Sequence, residues 1–145
     1  MVSLVGICSR AQTPENLEWV ARNDGVFKHH LDRYKYPLRY GEDEGYEHRD
    51  KAVFKMLVPL ESAIAQHGYM GGIDPCATDL AIFPFVRQFA AVDPAWFAHQ
   101  PLPALQAWLA GWMASPLFAT CMVKLPSQSI RPFPTLGKPR ADTTR

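Results

Sequence analysis

The densest run of reactive side chains in this 145-residue chain is Lys28-His29-His30-Leu31-Asp32-Arg33-Tyr34-Lys35-Tyr36. Imidazoles and carboxylates carry protons and ligate metals. On a helix, however, adjacent histidines point about 100° apart and do not form an i, i+4 chelating pair. His29 and Asp32 share a face, but two ligands do not complete a site. The run reads as a solvated helix face with Leu31 and Tyr34 turned inward, and no metal is expected. Ser3, Cys8 and Ser9 are nucleophile types near the N-terminus. Activation requires a donor or positive field beside them. No strand–turn–helix pattern surrounds them, so no catalytic residue is assigned. Asp24 lies in an apolar stripe between Val20 and Phe27, where it reads as a buried or half-buried carboxylate paired with Lys28 one turn on.

The elements that position these residues are all helical. Thr13 caps, Pro14 takes the first helical position and Glu15 complements the positive helix end, opening a helix that runs to about Tyr36. Its apolar spacing is Leu17, Val20, Phe27, Leu31 and Tyr34. Gly25 implies close packing or a slight bend there. After a polar loop to Tyr46, a second helix is expected over Glu47–His67, with Ala52, Met56, Leu60, Ala63 and Ile64 inward and a kink at Pro59.

The third helix, about Ala77 to Ala91, has the strongest local signature. Cys76 holds the N-cap, and Asp79 three residues on can bond the cap's backbone N–H, as in a capping box. The following Leu80, Ile82, Phe83, Phe85, Val86 and Phe89 predict a helix through the middle of a core. A thiol is a weak acceptor, so this cap is expected to be poorer by about 0.5–2 kcal/mol unless Thr78 or Asp74 compensates. A short turn at Asp93–Phe97, a helix from Leu102 to about Ser115 and a last helix from Pro116 follow. The aromatic set Phe83, Phe85, Phe89, Trp96, Phe97, Trp108 and Trp112 reads as core rather than ligand box. No strand pattern or internal repeat occurs.

Composition adds exclusions. A formal charge of +1 gives no basic excess for nucleic acid or anionic membrane. No apolar run reaches the ~18 residues of a membrane span. Three dispersed cysteines fit a reducing compartment, and a cytoplasmic location is expected. The domain reading is an irregular lead-in at 1–12, a helical domain at 13–124 and a Pro-rich, mobile tail at 125–145.

Cys76-Ala77-Thr78-Asp79-Leu80-Ala81-Ile82-Phe83-Pro84 resembles the capped, buried helix of the glutathione S-transferase C-terminal domain. Pro101-Leu102-Pro103-Ala104-Leu105-Gln106-Ala107-Trp108 followed by Ser115-Pro116-Leu117-Phe118 is similar to that family's later helices. Arg22 to Tyr36 looks like the first helix of bacterial members. The resemblance implies an all-α, five- to six-helix bundle. It implies that Tyr34, Tyr36 and Arg39 line a pocket for a hydrophobic electrophile, and that Asp24 reaches a glutathione site or a subunit interface. Glutathione enters as a co-substrate only, and no cofactor is implied. In the family, a thioredoxin-like domain activates glutathione. Only about a dozen residues precede the first helix, too few for a βαβ unit of roughly 30. The chain is therefore expected to be the helical half of such an enzyme, with little or no activity alone, whose partner is a second copy or a thioredoxin-like domain. The alternatives are a protein-binding scaffold of the same fold or a truncated gene product.

Overall fold

The computed structural model describes residues 10–124. Residues 1–9 of the expected lead-in, with Ser3, Cys8 and Ser9, and the expected tail lie outside those residues, while Arg10 and Ala11, expected to be irregular, are helical. The first element is α1 (Pro14–Arg22), capped by the Thr13 hydroxyl, which accepts the Asn16 N–H at 3.3 Å. It continues through a π-helical turn at Asn23–Phe27 into α2 (Lys28–Lys35). A 3-10 turn at Pro37–Tyr40 leads to α3 (Tyr46–Ala52), a second π-helical turn at Val53–Leu57 and α4 (Val58–His67). Then come α5 (Ala77–Ala90), α6 (Pro94–Ala98), α7 (Pro103–Met113) and α8 (Pro116–Cys121). No strand occurs among the described residues.

The two π turns have different causes. Proline lacks an N–H, and its ring crowds the carbonyl four residues back. Pro59 therefore disturbs the ladder at Lys55, and the helix widens just before it. The Val58 N–H reaches Val53, five residues back. This is the expected kink, realised as an inserted residue. The other turn contains Gly25, where an added Cβ would meet nothing within 4 Å. Close packing is excluded there, and low helix propensity remains as the reason for the deformation.

α5 lies at the centre of the bundle, packed against α1, α2 and α7, while α4 packs on α7 and α2 on α3. Phe27, Leu31, Met56, Leu60, Ile82, Val86, Phe89 and Leu105 are buried. Phe89 meets Phe27 at a centroid distance of 5.8 Å and Tyr34 at 5.1 Å. Offset and tilted aromatic pairs of this kind add to area burial.

Two expectations are corrected. Leu17 is 55% exposed, and Asn16 beside it is buried instead. The Asn16 amide donates to the Arg10 carbonyl at 2.7 Å, so a hydrogen bond rather than the apolar stripe sets the inward face of the first turn. α5 is also not apolar all round, because Leu80 and Ala81 are exposed. Pro84 lacks the N–H that would bond the Leu80 carbonyl, and this edge opens onto a surface cleft.

Candidate functional site

Asp79 is wholly buried and organises the helical core. Its Oδ2 accepts the Cys76 N–H at 2.8 Å, the reciprocal bond of the capping box. Its Oδ1 accepts the Met70 N–H and the Trp108 indole N–H, each at 3.0 Å. One carboxylate thus ties the 68–76 turn, α5 and α7 together. The Cys76 sulfur sits in capping-box position but makes no cap hydrogen bond, and the Asp79 N–H bonds the Cys76 carbonyl at 3.1 Å. Neither suggested compensator acts. Thr78 is buried with its hydroxyl unpartnered among the described residues, and Asp74 is exposed. A second long-range carboxylate caps α7: Glu61 accepts the N–H groups of Ala104 and Leu105 at 3.1 and 2.7 Å. Leu102 at the N-cap offers no side-chain acceptor, so a residue from α4 supplies it.

Two clefts meet at Trp112 and Ser115. The larger, about 610 Å³, lies between α4 and α7 and is lined by Ile64, Tyr69, Pro75, Trp108 and Trp112. The other, about 430 Å³, is walled almost entirely by apolar side chains of α5 and α8, among them Leu80, Phe83, Pro84, Leu117 and Phe118. Phe83 packs edge-on to Phe118 at 5.5 Å and tilted to Trp112 at 6.1 Å. Arg87 is the charged group in its wall, 5.5 Å above the Phe118 ring. The Trp112 indole N–H is buried with no partner among the described residues. Most of the aromatic set is core, as expected, while Phe83, Trp108 and Trp112 also face these clefts.

The polar run on α2 takes a different form from the expected solvated face. Gly45 seats its backbone on that of Tyr34, where an added Cβ would lie 2.7 Å from the Tyr34 Cα. This close approach sets the first turn of α3 against α2 and brings His48 to His29 and His30. Ring centroids are 5.0 Å apart for His29–His30 and His30–His48, and 5.8 Å for His29–His48. The Nδ1 atoms of His30 and His48 are 2.8 Å apart. His48 Nε2 faces the Glu42 carboxylate at 3.1 Å, which assigns the proton to Nε2. With both rings neutral, His48 Nδ1 then accepts and His30 Nδ1 donates. Burial, followed by His29, His48, Lys55 and Lys51, lowers His30 to about 4. His29 is lowered as well, by desolvation and then by Arg33, which donates to its Nδ1 at 3.0 Å. Helical spacing within one segment gives no sign of His48, because the third imidazole comes from the next helix.

The remaining sequence-predicted residues are separated. Tyr34 is buried against Phe89, where desolvation raises its phenol. Tyr36 is exposed and lies between two cations, Lys35 at 4.9 Å and Arg39 at 4.5 Å from its ring. Asp24 is exposed, not half-buried. It accepts from the Asn23 amide at 3.1 Å, while Lys28 pairs with Asp32 at 3.3 Å. The π turn rotates Asp24 off the apolar stripe, which removes the expected pairing.

A central helix closed by a buried carboxylate, flanked by two long helices and a C-terminal aromatic cleft, defines a compact all-helical domain class. Residues 43–111 match the family model for the glutathione S-transferase, C-terminal domain. Over that stretch the chain is similar to the glutathione S-transferase C-terminal domain. The match runs from the turn before α3 to the last part of α7, and so contains His48, Glu61, Asp79 and Trp108. No curated protein and no solved structure matches the chain. No helix among the described residues is long and apolar enough to cross a membrane.

Proposed function

We propose that this chain is the helical, pocket-supplying part of a glutathione-conjugating protein, and that the cleft between α5 and α8 receives the hydrophobic electrophile. The apolar wall of Leu80, Phe83, Leu117 and Phe118 carries this reading. It is roomy enough for a small aromatic molecule and, among the described residues, offers only Arg87 as a charged contact. The chemistry served is attack of a glutathione thiolate on the electrophile. Activation of that thiol is assigned to a thioredoxin-like domain, and the helical domain by itself is expected to give little or no turnover. Tyr36, Arg39 and Asp24 are exposed and remain candidates for contact with glutathione or a partner subunit. Two measurements test the proposal. A hydrophobic aryl ligand should quench tryptophan emission through Trp112, and Leu117→Glu should abolish that quenching. With glutathione and an aryl halide the purified chain should stay at the buffer rate. Quenching that survives Leu117→Glu overturns the pocket assignment, and turnover above buffer overturns the inactive-half reading.

A second reading, a protein-binding module of the same fold, is favoured by Phe54 and Val58. They lie one turn apart on the helix 46–67 and are 77% and 45% exposed. A second copy or a thioredoxin-like domain is the partner it implies. Sedimentation showing a strict monomer that recruits no such domain would remove it.

A further inference from the structure

We propose that His29, His30 and His48 bind one divalent transition-metal ion of the zinc class, with Glu42 holding His48 in its ligating orientation. This inference is independent of the cleft reading. The three imidazoles offer ligand nitrogens that all lie within 4.8 Å of one another. Zinc–imidazole bonds of about 2.0–2.1 Å place two ligand nitrogens roughly 3.3 Å apart in a tetrahedral shell. The His30 and His48 Nδ1 atoms, now 2.8 Å apart, need to open by only about half an ångström for the ion to enter between them. His30 then carries its proton on Nε2 instead of Nδ1, and both Nδ1 lone pairs point at the ion.

The surroundings are those of a ligating histidine. Metal-bound imidazoles characteristically donate their other N–H to a carboxylate, which fixes the tautomer and ring plane. His48 does this to Glu42 at 3.1 Å. Glu42 is in turn held by Arg33 at 3.6 Å. Buried His30 and half-buried His48 give two firm ligands, and exposed His29 gives a mobile third. The cations Arg33, Lys51 and Lys55 oppose an incoming dication, and Glu42 offsets them. Arg33 currently occupies His29 Nδ1. It is not stranded when the ion takes that nitrogen, because it also contacts Glu42 and lies 4.3 Å over the Tyr40 ring. Three imidazoles leave a fourth position open to water, the arrangement of exchangeable rather than closed structural sites. Imidazole donors select zinc, copper, nickel or cobalt over magnesium or calcium.

The test uses the full chain, stripped with chelator, and Co²⁺ as an optical probe with Zn²⁺ as competitor. One Co²⁺ per chain should bind, develop ligand-field absorption of low coordination number and be displaced by Zn²⁺. His29→Asn and His48→Asn should each abolish that spectrum, with unchanged far-UV circular dichroism showing that the helices persist. Glu42→Gln keeps all three imidazoles and should weaken binding about 10- to 100-fold. His67→Asn with His99→Asn, the remaining histidines, should change nothing. Absence of stoichiometric binding overturns the proposal. So does a spectrum that survives His29→Asn, or one lost with His67 and His99. Should His48→Asn fail to fold, the exposed His29 variant and Glu42→Gln decide the matter by themselves.

Discussion

The chain builds two polar clusters across helices, and they are completed differently. At Asp79 the carboxylate is wholly buried and receives three N–H donors, two from backbone and one from Trp108. At His29, His30 and His48 the rings grade from exposed to buried and share a single short Nδ1–Nδ1 contact. A buried charge is tolerated when hydrogen bonds replace its hydration. The Asp79 cluster meets that condition, and its role is architectural. The histidine cluster is joined by one neutral ring-to-ring hydrogen bond near solvent, which a change of tautomer opens, and that is the condition of a site that can take something in. Closure, more than burial, distinguishes the two.

Removing Asp79 is the severest way to break this contrast. Asp79→Ala orphans three donors at about 1–3 kcal/mol each, so urea unfolding should show a loss of roughly 3 kcal/mol or more. A loss under about 1 kcal/mol would mean that the cluster is not closed by Asp79 at all. Acid should act on the other cluster. In chelator-treated protein His30 is lowered to about 4, against about 6.5 unfolded, so the unfolded chain binds the extra proton between those values. Stability is fully present above about pH 6.5 and declines as pH falls toward about 4, by on the order of 3 kcal/mol. His30→Gln should flatten that decline, and an equally steep one in the variant would assign it elsewhere. Glu61→Ala strips the start of α7 of its acceptor and should cost about 1–2 kcal/mol, measurable as a lower thermal midpoint. Cys76→Ser should move the other way, gaining up to about 1 kcal/mol by giving the Asp79 N–H a better acceptor.

Legibility in the sequence follows the range of the interaction. The Cys76–Asp79 spacing is local, so the reciprocal cap bond can be read from four consecutive residues. The Met70 and Trp108 bonds to the same carboxylate span 9 and 29 residues, and no spacing rule announces them. Phe27, Leu31, Met56 and Leu60 follow helical periodicity and are buried as expected. Asn16 displaces Leu17 because an amide–carbonyl bond decides the inward face. His48 joins His30 only because Gly45 lets two backbones touch, a property of the turn rather than of either helix. Glu61 carries no mark at all, since its acceptor role depends on the helix opposite.

The widened turn at Val53–Leu57 acts as a phase shifter. It holds one residue more than an α-helical turn, so α3 and α4 are joined out of step by about 100°. A continuous α-helix of the same residues would swing His48 about a quarter-turn away from His30 if Met56, Leu60 and Ile64 kept their places. The wide turn is thus what lets one helix serve both the histidine cluster and the core.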